Sequence, residues 1–167
     1  MPLRHTVYCK RSAAGVTAEK LLTHLKIPDY WTLGEDYDIS EKAVDASLPL
    51  RIENLDPGQF RLYHLFYGEP GRRPIEIERW ETEDQHGRAV DETIDNLTIK
   101  EGARAAKIGD FLRKSVDSVS ASFGIDPPAA MFAWEVVRYF AFEFDGMIHA
   151  SDGEWLMIGA DYQPKLV

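Results

Sequence analysis

Residues 129–144 read AAMFAWEVVRYFAFEF, and the rest of the chain is organised around this stretch. Only Glu135, Arg138 and Glu143 carry charge in it, and its apolar residues cover every side of a helical wheel. A helix that is apolar all round is normally buried. The stretch therefore predicts the core helix of a folded domain.

Residues on both sides of this stretch mark where the helix begins and ends. Asp126 can accept hydrogen bonds from the first free N–H groups, and Pro127 fits the first turn, where its missing donor costs nothing. Asp145 and Gly146 follow the last apolar residues, and glycine suits the left-handed position after a helix. We therefore expect the helix to end there.

The fold class follows from the order of predicted elements along the chain. Helices are expected from Thr17 to Pro28, over 41–48, in the second half of the acidic stretch 81–96, and over 103–114. Strands are expected over 4–10, 50–54, 60–67, 75–80, 116–123, 147–150 and 154–158. This mixed order predicts a single α+β domain over 1–167, with helices on a mainly antiparallel sheet and a buried C-terminal helix followed by a β-hairpin.

The charge is uneven, with a net value of −9 for 167 residues. Residues 81–167 hold 16 Asp and Glu against 8 Lys and Arg, whereas residues 1–80 are nearly neutral. An acidic surface disfavours phosphate backbones, so we expect no nucleic acid partner and favour a basic protein. No apolar run is long enough for a membrane span. The single cysteine and the absence of an apolar leader favour the cytoplasm.

Histidine and cysteine spacing gives no metal or catalytic motif. None of the five histidines pairs with another, or with Cys9, at ligand spacing, so we predict no metal, no cofactor and no catalytic residue. His64 is expected on the apolar side of its strand as a hydrogen-bonded core residue. Asp84 and His86 fall in a polar stretch that is expected to be exposed. Cys9 is expected to be a small buried residue.

The three central strands predict a sheet with one apolar and one polar face. Alternation points Leu50, Ile52, Phe60, Leu62, Phe66, Ile75 and Ile77 inward. The polar face holds the candidate interface residues Arg51, Arg61, Tyr63, Tyr67, Glu76, Glu78 and Trp80, together with Glu53. Aromatic residues beside arginine are typical of binding hot spots. Cross-strand charge pairs, or a helix covering the aromatics, are the alternatives.

Residues 17–67 resemble a winged helix-turn-helix module. The first helix would be 17–26, the second 31–36, the turn 39–40 and the recognition helix 41–48, with 50–54 and 60–63 as the wing. The resemblance implies a DNA-binding regulator. Glu41 and Asp45 against Lys42 give the recognition helix the wrong charge balance for phosphates.

The C-terminal third resembles the small α+β immunity proteins of bacterial toxin–immunity systems. The resemblance rests on the alternating strand VDSVSASF, the long helix over 129–144, and the hairpin GMIHASDGEW. The resemblance implies a bacterial inhibitor that acts by occluding its partner, and it assigns no functional residue.

Three functional hypotheses follow. The first is an acidic interaction protein that inhibits a basic partner. The second is an enzyme or small-ligand binder whose site is assembled from distant segments, with His64 or His149 beside a carboxylate in a deep pocket. The third is a winged-helix regulator. Self-association is left open.

Overall fold

The computed structural model describes residues 2–80, 83–98 and 102–167. The helices are α1 (Ala18–Leu25), α2 (Tyr30–Asp36), α3 (Glu41–Ala46), α4 (Glu83–Thr98), α5 (Gly102–Lys114) and α6 (Pro127–Glu143). The strands are β1 (Leu3–Cys9), β2 (Leu50–Asn54), β3 (Leu62–Tyr67), β4 (Ile75–Arg79), β5 (Asp117–Phe123), β6 (Gly146–His149), β7 (Trp155–Ile158) and β8 (Pro164–Leu166). Of the predicted acidic stretch, Glu81 lies outside the described residues.

All eight strands form one antiparallel sheet in the order β2-β3-β4-β5-β1-β6-β7-β8. The first strand of the chain, β1, lies between β5 and β6, and α6 connects these two strands by crossing over β1. The α+β class, the mainly antiparallel sheet, and the buried helix followed by a hairpin are confirmed. Alternation and turn signals do not predict the edge strand β8 or the short helix α2. The helix α2 corresponds to the second helix, 31–36, of the winged-helix resemblance.

The helix α6 lies at the centre of the larger apolar core. It packs with α1, α2 and α3 on one face of the sheet, and side chains such as Phe132 and Phe140 are fully buried. The Oδ2 atom of Asp126 accepts a hydrogen bond from the N–H of Ala129 at 3.3 Å, which confirms the predicted cap. The apolar circumference of the helix is therefore explained by contacts on several sides.

The end of α6 differs from the expectation for Gly146. The left-handed residue is Asp145, with φ of 52°, and Gly146 is already the first residue of β6. Glycine is needed at this position because a Cβ atom would lie 2.6 Å from Cγ1 of Val7. Gly146 therefore does not adopt the expected left-handed conformation. It allows β6 and β1 to approach each other closely.

Helices α4 and α5 cover the other face of the sheet at one end, around Tyr8, Met147 and Trp155. His86 of α4 is buried there, and its two ring nitrogens lie 3.1 Å from Oγ of Ser118 and 3.0 Å from Oγ of Ser115. The expectation that His86 is exposed is therefore wrong. Ser118 of β5 and Ser115, which precedes that strand, provide the polar partners that let this histidine of α4 be buried against the sheet.

The predicted faces of β3 are reversed. Tyr63 lies opposite Ile77 and Tyr67 lies opposite Leu50, and directly opposed residues share a face of the sheet. Tyr63 and Tyr67 are consequently core residues, at 2% and 3% exposure. The side chains of Leu62, His64 and Phe66, which were expected to point inward, lie on the other face of β3, where they are half-buried.

Both tyrosine hydroxyl groups find hydrogen-bond partners in the core, which allows the tyrosine side chains to be buried. The hydroxyl of Tyr63 donates to the main-chain oxygen of Val16 at 2.7 Å. The hydroxyl of Tyr67 donates to Oδ2 of Asp126 at 2.9 Å. Because both buried hydroxyl groups have partners, the large rings can fill the core without an unpaired polar atom.

The segment that resembles a winged helix forms α1, α2, α3, β2 and β3 in the expected order. Its two strands are not a free wing, because β3 also pairs with β4 inside the large sheet. DNA binding stays a prediction of the resemblance. Among the described residues, no helix has both the length and the apolar character required to cross a bilayer.

Candidate functional site

A cavity lies between α1, the start of α2, α6 and the turn before β8. Its volume is about 570 Å³. The polar residues in its wall come from distant parts of the sequence and include His24, Asp29, Glu135, Arg138 and Tyr162. The tertiary fold therefore assembles this cavity from three separate segments of the sequence, 24–33, 135–143 and the turn at Tyr162.

A buried ion pair forms one wall of the cavity. The side chain of Glu135 is 2% exposed and that of Arg138 is 11% exposed, and Nη1 of Arg138 donates to Oε1 of Glu135 at 2.9 Å. Among the described residues, none donates a hydrogen bond to Oε2 of Glu135. Burial raises the pKa of Glu135, and the neighbouring Arg138 opposes this rise.

Tyr162 holds the turn before β8 against this ion pair. Its main-chain oxygen accepts a hydrogen bond from Nε of Arg138 at 2.9 Å, and the guanidinium lies 4.6 Å from the centre of its ring. Its φ is 63°, in the left-handed region that side-chain-bearing residues rarely adopt. Such strain persists where surrounding contacts fix the residue, and it is concentrated at functional sites.

His24 faces the same turn from α1. Its Nε2 lies 2.8 Å from the hydroxyl of Tyr162, so one of these groups donates to the other. Burial lowers the pKa of His24 and so favours the neutral imidazole, while the nearby carboxylate of Glu143 opposes this shift. The ring also packs on Tyr139 at 4.6 Å between centroids. A neutral imidazole can donate one hydrogen bond and accept another.

Apolar side chains complete the wall of the cavity. Ile27 and Phe142 line it while remaining 75% and 41% exposed, and Pro28 and Leu33 also belong to the wall. A second cavity of about 420 Å³ begins on the other side of Pro28, beside Trp31. A mostly apolar wall with a few converging polar groups is typical of small-molecule sites.

Asp29 and Glu143 place two exposed carboxylates in the wall of the larger cavity. Asp29 caps α2, and hydrogen bonds from the side chain and N–H of Thr32 and the N–H of Trp31 lower its pKa. Asp29 is therefore ionised at neutral pH. The cavity thus combines a neutralised buried pair with negative charge at its edge.

The structure brings together only part of the predicted interface. Arg61, Glu78 and Trp80 line a cavity of about 260 Å³ next to Gln85 of α4. Arg61 forms an ion pair with Asp56 at 2.8 Å. Tyr63 and Tyr67 belong to the core, so the prediction that these two residues lie on a binding surface is wrong.

The other predicted residues lie on the face of β2, β3 and β4 that is opposite the α6 core. Arg51 and Glu53 are exposed and lie 3.7 Å apart, and the guanidinium of Arg51 lies 4.3 Å from the ring centre of Phe66. Glu76 lies opposite His64 in the β3–β4 register. We call Arg51, Glu53, His64, Phe66, Glu76 and Glu78 the open sheet face.

The histidines expected in a pocket lie elsewhere. His64 belongs to the open sheet face and is half-buried there, so the expectation of a core histidine is wrong. His149 stacks on Trp155 at 4.1 Å between ring centroids. Neither His24 nor Tyr162 is among the predicted site residues. Glu135 and Arg138 were predicted only as charges within the core helix, although their spacing of three residues places them on one side of it, which Phe142 shares.

The described residues contain no group of three or more His, Cys, Asp or Glu side chains placed to hold a metal ion. Cys9 is fully buried, as expected, and burial raises the pKa of its thiol. Comparison with protein-family models, with curated proteins and with solved structures finds no match for this chain. The function is therefore inferred from the geometry of the cavity and of the open sheet face.

Proposed function

We propose that this protein binds a small organic molecule in the cavity between α1, α2 and α6. The observation that carries the proposal is the Glu135–Arg138 pair, which is almost fully buried in the fold and yet lines a cavity of about 570 Å³. This is the second of the sequence hypotheses, with its site assembled from distant segments. Burying such a pair rarely stabilises a fold more than apolar residues of the same size would.

The groups in the cavity wall have complementary roles in this proposal. Oε2 of Glu135 can accept a hydrogen bond from a polar group of the ligand, while Arg138 holds the carboxylate in place. The imidazole of His24 and the hydroxyl of Tyr162 form a second polar point. Ile27, Leu33 and Phe142 supply the apolar contact area that gives affinity.

A titration of labelled protein with a panel of small aromatic and aliphatic compounds, followed by NMR, tests the proposal. We expect saturable shifts confined to the cavity, with resonances of His24, Thr32 and Tyr162 among them. Thr32→Trp should abolish these shifts, because Thr32 is an exposed residue of the wall and an indole there would fill the cavity. Melting temperatures of both proteins establish that the variant is folded.

The matched control is Thr23→Trp, which adds the same indole to the exposed surface of α1 outside the cavity wall. Compounds should bind this variant as they bind the wild type. Shifts that persist in Thr32→Trp, or a panel that produces no saturable shift at the cavity, would overturn the proposal.

We propose, as a second candidate, an immunity-type protein of the bacterial cytoplasm that occludes a basic partner. The favourable observation is that the open sheet face borders an acidic helix. Gln85 of α4 lies beside Trp80 and Glu78 at the small cavity. The exposed surface of α4 carries the carboxylates of Glu83, Asp84, Asp91, Glu92 and Asp95 against Arg88.

This second candidate predicts that charge steers association. For a basic partner purified with the protein, raising salt from about 20 mM to about 150 mM should slow the association rate by roughly tenfold or more. Trp80→Ala should reduce affinity by about 2 kcal/mol while leaving the melting temperature nearly unchanged. A rate that is independent of salt, or a large loss of stability with intact affinity per folded molecule, would contradict it.

A further inference from the structure

We infer that the cavity of α1, α2 and α6 selects a small organic cation, an amine or ammonium group on an apolar body. This inference rests on the proposed function and names the ligand class of the same site. Three observations carry it: the balance of charge in the wall, the state of the one arginine there, and the position of the aromatic rings.

The balance of charge in the cavity wall is negative. Among the described residues that line the cavity, Asp29, Glu135 and Glu143 supply three carboxylates and Arg138 one positive charge, and burial favours the neutral form of the one histidine, His24. The charge of Arg138 is matched by Glu135 at 2.9 Å, so Asp29 and Glu143 leave about two negative charges at the edge. Arg11 donates to the main-chain oxygen of Glu143 but is not part of the wall.

The arginine of the wall is already engaged and does not offer an anion site. One of its donors is bound by Glu135 and another by the main-chain oxygen of Tyr162, and its side chain is only 11% exposed. A carboxylate or phosphate that approached it would also meet the charge of Glu135. A cation meets attraction from the same carboxylates.

Aromatic rings lie where the body of such a cation would pack. Phe142 meets Tyr162 edge-on, with ring centroids 5.0 Å apart, and Phe142 remains 41% exposed beside the cavity. Arg138 already occupies a position over Tyr162 at 4.6 Å. The free surface of Phe142 is therefore suited to an alkylammonium or aryl-amine group, since cations are attracted to ring faces.

Three probes of similar shape and different charge test the inference. They are 2-phenylethylamine, which is a cation at pH 7, 2-phenylethanol, which is neutral, and 3-phenylpropionate, which is an anion. Each is titrated into the full chain at low salt, with the NMR shifts of His24 and Tyr162 as the readout. We expect the amine to bind at least about tenfold more tightly than the alcohol, with the propionate weakest.

A pair of double variants separates the edge carboxylates from net charge. Asp29→Asn/Glu143→Gln should reduce the preference for the amine over the alcohol to about threefold or less, and asparagine still caps α2. Glu41→Gln/Glu69→Gln makes the same change in net charge at exposed residues outside the wall and should leave the preference unchanged.

The outcomes distinguish this inference from the proposed function. An alcohol or propionate that binds the cavity as tightly as the amine overturns the inference and leaves the proposed function standing. The inference also fails alone if other compounds of the panel bind and the amine does not. An equal loss of preference in both double variants would show that the preference for the amine comes from the net charge of the protein. The inference that the cavity carboxylates select a cation would then be overturned. Absence of cavity binding by every compound overturns both.

Discussion

Replacing Arg138 by alanine is expected to lower the free energy of unfolding at pH 7 by about 3–5 kcal/mol, measured by chemical denaturation. The variant leaves Glu135, at 2% side-chain exposure, without its counter-ion in the interior. It also removes the hydrogen bond to the main-chain oxygen of Tyr162. The loss should therefore exceed that of any exposed ion pair, such as Arg51 with Glu53.

The pH dependence of this loss identifies its cause. Burial already raises the pKa of Glu135, and loss of Arg138 should raise it further. A carboxyl whose pKa is higher in the folded than in the unfolded state costs stability when ionised, and this cost disappears as pH falls through the folded-state pKa. The deficit of Arg138→Ala relative to the wild type should thus shrink between pH 7 and pH 5.

A second substitution provides the control. Glu135→Met in the Arg138→Ala background replaces the unpaired carboxylate by an apolar side chain of similar length, and it should restore about 2 kcal/mol. A deficit that is the same at pH 5 and pH 7, and that Glu135→Met does not reduce, would show that the lost contacts to Tyr162 explain the effect. The charge argument would then be wrong.

The parts of the fold that could be predicted are those where one strong pattern decides. Residues 129–144 are too apolar for a surface helix, and Asp126 and Pro127 mark their start, so α6 could be placed within about two residues. Strand β5 alternates serine with Val119, Ala121 and Phe123, and these three residues do face α6. The serines of β5, which alternation predicts to be outward and exposed, are buried too, so in this strand the pattern predicts the face of each residue but not the burial of the second face.

Strand β3 could not be placed correctly because its sequence contains two competing patterns. Leu62 and Phe66 are as apolar as Tyr63 and Tyr67, so a period of two residues does not choose between the faces. The choice depends on the hydroxyl partners Val16 and Asp126, which lie 47 and 59 residues away in the chain. Burial of a tyrosine is decided by such tertiary partners, which no local pattern contains.

The candidate site was only half visible for the same reason. Glu135 and Arg138 stand out as charges within an apolar helix, and their spacing places them on one side of it. The distance of 2.8 Å between His24 and Tyr162 joins residues 138 positions apart. The left-handed backbone of Tyr162 has no sequence signal, because tyrosine is not a residue that usually marks such a conformation.

The core role of α6 gives the last prediction. Phe140→Ala should lower the free energy of unfolding by about 3–5 kcal/mol, measured by chemical denaturation, because Phe140 is fully buried. Its ring lies 5.6 Å from that of Phe60 and 6.0 Å from that of Phe144, measured between centroids. With neighbours this large and rigid, the site cannot collapse easily around the missing ring.

Phe142 provides a matched control two residues further along the same helix. It is 41% exposed, so Phe142→Ala should cost about 1 kcal/mol or less, although it removes a ring from the cavity wall. Amine binding should weaken in Phe142→Ala and persist in Phe140→Ala per folded molecule, because Phe140 is not part of that wall.

A loss under 1 kcal/mol for Phe140→Ala would show that α6 is not the element on which folding depends. Equal effects of the two variants on stability would contradict the division of α6 between its core side and its cavity side.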